Sequence, residues 1–91
     1  MAQARYVQCK IEPGLFTTEV YVSVSGSSVY VDKSAVRITK KPLNGEAGEG
    51  QILVYVIDET PPDRALVELS GEPVVGGLRT WVPKAAFATP A

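Results

Sequence analysis

The chain has 91 residues, 9 basic and 10 acidic side chains and a net charge of −1, so one domain is expected, with no overall field drawing it toward nucleic acid or an anionic membrane. A single cysteine and no histidine exclude an internal disulfide, the Ser-His-Asp and Cys-His nucleophile arrangements and the commonest zinc ligand. The lone thiol in so small a chain predicts a reducing, cytoplasmic setting.

In chain order, the opening "MAQARYVQCK" shows no basic segment followed by an apolar run and a cleavage site, so no signal peptide is expected. Short runs rich in Val, Ile and Tyr then recur between Gly, Pro, Ser and Asn, the pattern of an all-β chain. Six strands are predicted, over 6–11, 19–24, 28–31, 51–57, 64–69 and 78–82. "EPGLFTT" joins the first pair, "SGS" the second, "DETPPD" the fourth and fifth, and "SGEPVVGG" the last two. The longest apolar run, "ILVYVI", has six residues where a membrane-spanning helix needs roughly twenty, so no membrane partner is expected.

The chain repeats itself. "EVYVSVSG" (19–26) aligns with "RALVELSG" (64–71), and "VYVDKSAVRI" (29–38) with "TWVPKAAFAT" (80–89), the offset growing because "EPVVGG" is extra in the second half. Two related three-stranded units, 5–39 and 51–89, are predicted to pack face to face, neither closing a core alone. Asp32 and Pro83 fall where each unit leaves a strand for a single helical turn, the one capping free N–H groups, the other presetting φ. Between the units, "KKPLNGEAGEG" (40–50) has almost nothing apolar to offset its ordering entropy and reads as a flexible linker.

Strand alternation sends Val7, Cys9, Ile11, Val20, Val22, Val24, Val29, Val31, Ala65, Val67, Leu69 and Val82 inward, with Val36, Ile38 and Phe87 plugging the ends. The fourth strand is apolar on both faces: Ile52, Val54 and Val56 on one, Leu53, Tyr55 and Ile57 on the other. A small barrel has one interior, so the second face, joined by Tyr21 and Leu66 from neighbouring strands, is predicted to be an interface between copies. Tyr30 and Trp81 occupy matching outward positions and, with Lys33 and Lys84 beside them, form the candidate contact surface.

No catalytic, cofactor or metal site is read. Cys9 reads as a small buried hydrophobe, and Asp58, Glu59 and Asp63 around "TPP" as a solvated loop. The glycine pairs lack the context of a phosphate loop and read as turn chemistry. Lys33, Arg37, Lys40 and Lys41 beside Tyr30 form the one basic cluster.

The stretch "GQILVYVIDETPPDRALVELSGEPVVGGLRTWVPKAAF" resembles the closing strands of Src-homology-three-like barrels, where a strand, a loop, a hairpin and a "WVP" element lead into a short helical turn. In peptide-binding members an aromatic follows the Pro more closely than Phe87 follows Pro83. In "GQI", "TPP" and "PKAA" the same half is similar to plasmid-borne type II dihydrofolate reductases, whose pore uses a Gln-Ile-Tyr run where this chain has "TWV". That resemblance implies symmetric assembly, without the activity. "WVPK" and "YVDK" resemble the "IPK" strand end of swapped-hairpin transition-state regulators, which implies a swapped-hairpin barrel dimer as the alternative fold.

The expectation is a small, partly open, Src-homology-three-like β-barrel of about six strands that binds or scaffolds without catalysis and associates with itself. A small oligomeric enzyme with its site at the subunit axis is the alternative, and a nucleic-acid module the third reading. A further protein partner fits the first reading, while the identity of any ligand or partner is not written in the sequence.

Overall fold

Alternate side chains of a strand point to opposite faces, and in the computed structural model, which describes residues 3–88, that alternation organises nearly the whole chain. The strands are β1 (Gln3–Pro13), β2 (Glu19–Val24), β3 (Ser27–Asp32), β4 (Val36–Lys40), β5 (Gly48–Asp58), β6 (Arg64–Leu69), β7 (Glu72–Val75) and β8 (Arg79–Pro83). Single 3₁₀ turns, Lys33–Ala35 and Lys84–Ala86, follow β3 and β8. All pairings are antiparallel, in the order β7-β3-β2-β1-β5-β6-β8, with β4 beside β5. The sheet curls strongly into a partly open small barrel.

The pairing registers of the two sequence units correspond position by position. Ile11 faces Val22 and Val56 faces Val67; Tyr21 faces Tyr30 and Leu66 faces Trp81; Glu19 faces Asp32 and Arg64 faces Pro83. The Lys33 N–H donates to the Thr18 carbonyl at 3.0 Å, and the Lys84 N–H donates to the Asp63 carbonyl at 3.1 Å. At the centre Val7 pairs with Ile52. Each half then passes its last segment to the other: Val36, after the first 3₁₀ turn, pairs with Ile52, and Phe87, after the second, pairs with Val7.

One face of this sheet is the core. Every residue expected on the inward face of the predicted strands is buried, together with Ile52, Val54 and Val56. Each large side chain removed from water there contributes roughly 1.5–3 kcal/mol relative to exposure. Val36 and Phe87 pack against this cluster as expected. Ile38 does not, remaining 39 % exposed. It lies opposite Gly50, where the Ile11 side chain already fills the space, and the register breaks just beyond it.

The structure differs from the sequence reading in three places. β4 and β7 are strands where a plug and a loop were expected, and β5 begins at Gly48, inside the segment read as a linker. The remainder of that segment includes a two-residue hairpin turn. Asn44 and Gly45 take φ values of 53° and 80°, and Leu43 and Glu46 exchange N–H···O bonds of 3.2 and 3.0 Å across them. Gly48 and Gly50 are buried because β4 crosses their backbone. A Cβ on Gly48 would run into the Lys40 carbonyl, and one on Gly50 into the Arg37 carbonyl and the Ile11 side chain.

Gly50→Ala is therefore expected to cost about 1–3 kcal/mol in denaturant unfolding through overpacking. An unchanged midpoint would show that β4 does not press on β5 there. Ser70 Oγ is buried without a hydrogen-bond partner. Ser70→Ala removes the unmet group and is expected to be neutral or to stabilise by up to about 1 kcal/mol in the same assay.

Candidate interaction surfaces

The corresponding registers give each half an outward cross-strand pair in the same position, built on an inward pair of aliphatic residues. In the first half, Tyr21 of β2 meets Tyr30 of β3, with ring centroids 5.1 Å apart and planes tilted by 53°. The Tyr21 hydroxyl donates to Ser28 Oγ at 2.6 Å, while both tyrosines are half-buried. In the second half, Leu66 of β6 meets Trp81 of β8, and the Arg64 guanidinium lies over the indole at 4.6 Å. Stacked this way, an arginine keeps its charge in water while covering an aromatic face. Trp81 is still 38 % exposed.

Tyr30 and Trp81 thus both point outward, as the alternation requires, and each packs on a different neighbour, Tyr30 on Tyr21 and Trp81 on Arg64. Of the lysines beside them, Lys33 is exposed, whereas Lys84 folds back and donates from Nζ to the Glu59 carbonyl at 3.1 Å.

The outer face of β5 carries the second predicted group. Tyr55 is 41 % and Ile57 39 % exposed, and Leu53 is half-buried opposite Tyr6, whose ring is covered by the Arg37 guanidinium at 3.8 Å. Leu66 lies beside them, opposite both Asp58 and Trp81, so Tyr55, Ile57, Leu66 and Trp81 span three adjacent strands. Tyr21 is not part of this group. β1 separates it from β5, and its register partner Glu12 lies beyond the end of the β1–β5 pairing. Sequence order alone placed it next to β5; strand order places it with Tyr30.

A groove the sequence reading missed runs beside Tyr30. The β1–β2 loop lifts Leu15 and Phe16 into solvent, 72 % and 70 % exposed, and they line the groove with Glu19, Tyr30, Asp32 and Glu72. The Leu15 N–H donates to Glu19 Oε2 at 3.3 Å, which helps hold the loop. Two consecutive large apolar residues in a Gly-containing turn, outside any strand alternation, were the available signal.

The titratable groups with displaced protonation have structural causes. Asp32 Oδ1 accepts from the Ser34 N–H at 2.8 Å, capping the 3₁₀ turn, and that bond holds its carboxyl below the usual range. Asp58 Oδ1 accepts from the Thr60 N–H at 2.9 Å and hydroxyl at 2.7 Å, which lowers its carboxyl in the same way. Cys9 is buried in the core, and burial pushes its thiol up to about 12. Among the described residues no three of His, Cys, Asp and Glu converge as metal ligands, and no helix is long and apolar enough to cross a membrane. No protein-family model, curated protein or solved structure matches the chain.

The thiolate is the reactive form of cysteine. Cys9 in the folded protein is therefore expected to resist a disulfide reagent at pH 8 and to react at full rate once denaturant unfolds the chain, as followed by absorbance. The pH sign is the corresponding one. The unfolded thiol gives up its proton near its ordinary value of 9.0 while the folded one holds it to about 12, so this group's contribution to stability falls as pH rises across that window.

Proposed function

We propose that the protein is a non-catalytic β-barrel building block that associates with copies of itself through the outer face of β5 and β6. The observation that carries this reading is the run of Tyr55, Ile57, Leu66 and Trp81 across three neighbouring strands, with Tyr55 and Ile57 about two-fifths exposed at the middle of the sheet. A central strand is where a sheet most readily hides its side chains, so apolar groups left open there favour a partner over simple surface tolerance. Aromatic and aliphatic side chains of this kind form the desolvated centres of interfaces. The chain's small size adds to the argument, because a domain of 91 residues buries a modest fraction of its surface and gains stability from association.

Light scattering coupled to size exclusion is expected to report a mass above the 9.7 kDa of one chain at micromolar concentration. Tyr55→Glu should return the mass to a single chain while circular dichroism keeps its β signature. A wild-type protein that stays at the mass of one chain at millimolar concentration would overturn the reading.

A further inference from the structure

We infer that the contact between copies is head-to-tail: the Ile57, Leu66 and Trp81 face of one copy, with Arg64 on it, seats in the Phe16 and Tyr30 groove of the next. This rests on the self-association proposed above and specifies what covers the face.

The first observation is charge. Glu19 and Asp32 stand directly opposite each other across β2 and β3, and Glu72 stands opposite Tyr30 from the other side. Like charges at directly opposed positions repel. Among the described residues the ion pairs are Arg5 with Glu59 at 3.8 Å and Arg79 with Glu68 at 3.0 Å, so none of these three carboxylates has a cation. Lys33 sits in the adjoining turn without closing on them. At the pseudo-equivalent position of Glu19 the second half has Arg64, also without a carboxylate, and at that of Asp32 it has Pro83. The two surfaces share a backbone frame in which Arg64 stands where the groove has Glu19; the groove is acidic at Glu19, Asp32 and Glu72, while the face is mixed, with Asp58 opposite Leu66 and Asp63 next to Arg64.

The second observation is the amount of apolar surface left over. An isologous dimer closed through the β5 face would leave Leu15 and Phe16 in water, at 72 % and 70 % exposure. A heterologous contact covers the face of one copy with the groove of another, so every copy except the two end ones has both surfaces covered. The exposed Arg64 guanidinium, 4.6 Å from the Trp81 ring centroid and in no ion pair among the described residues, is the cation that meets the Glu19 and Asp32 carboxylates. Depending on the rotation between copies, such a contact closes a ring or runs on as a filament.

Two variants separate this from a symmetric contact. Phe16→Asp disables the groove and leaves the face; Ile57→Glu disables the face and leaves the groove. Each alone is expected to run as a single chain, with association weakened at least tenfold. Their equimolar mixture should form a complex of two chains and no larger species, because each supplies the surface the other lacks. Should Ile57→Glu fail to fold by circular dichroism, Arg64→Glu on the exposed rim replaces it, with Glu72→Arg in the groove of its partner expected to recover part of the loss. If Phe16→Asp assembles like the wild type, or if two folded single-chain variants stay apart when mixed, the head-to-tail inference is overturned while the self-association reading stands. A wild-type protein that never associates removes that reading first.

Discussion

The antiparallel pairing of β1 with β5, centred on Val7 opposite Ile52, is the constraint on which the rest of the molecule depends. Both strands are eleven residues long, and both side chains at the centre are fully buried. A three-stranded unit cannot close a core. Each half therefore needs the other twice, once along this central pairing and once through the segment after its 3₁₀ turn, which crosses to pair with the opposite half's long strand. Such an exchange makes the two halves one cooperative body: unseating Val36 from Ile52, or Phe87 from Val7, uncovers the same cluster from either side.

That architecture explains what was legible in the sequence. The inward face could be read because a period of two leaves no freedom once a strand is identified, and the matching roles of Asp32 and Pro83 could be read because capping chemistry is local. What failed was information carried by pairing rather than by pattern. β7 leaves all four of its residues exposed around a proline and shows no alternation; β4 alternates in sequence, Val36 and Ile38 against Arg37 and Thr39, but buries none of them fully, so its short run read as plugs rather than as a strand. The first residues of β5 hide because Gly48 and Gly50 occupy inward positions without side chains. The Asn44-Gly45 pair was a readable hairpin signal, obscured by the polar composition around it. For the candidate site, Tyr55 and Ile57 were visible as surplus apolar residues, whereas the true company of Tyr21 depends on strand order, which no local pattern contains.

The polar groups are placed with similar economy. Asp32 and Asp58 spend their carboxylates on nearby N–H groups at turns, Lys84 ties its ammonium to the Glu59 carbonyl, and Cys9 is sealed in the core with its proton. Three arginines, Arg5, Arg37 and Arg64, lie over the rings of Phe87, Tyr6 and Trp81. On a sheet with little helix to cover it, guanidinium planes shield aromatic surface at small desolvation cost and leave donors at their edges. The outer face is thus partly wet and partly apolar, a texture suited to contact.

The matching registers of the two halves set unequal rules for the two faces. Inward positions are held by a shared core, so Val22 and Val67, or Val31 and Val82, are the same residue in both halves, and Val20 and Ala65 differ only in size. Outward positions answer to no such partner within the chain, and there the two halves differ in chemistry at matching registers: Tyr21 with Tyr30 against Leu66 with Trp81, Glu19 against Arg64. When two surfaces share a frame and differ in charge at a matching position, the frame that makes them alike within one molecule also presents them for contact between two. Under the head-to-tail contact proposed above, each junction repeats the same pair of unlike surfaces, so copies add in one direction without a mismatch.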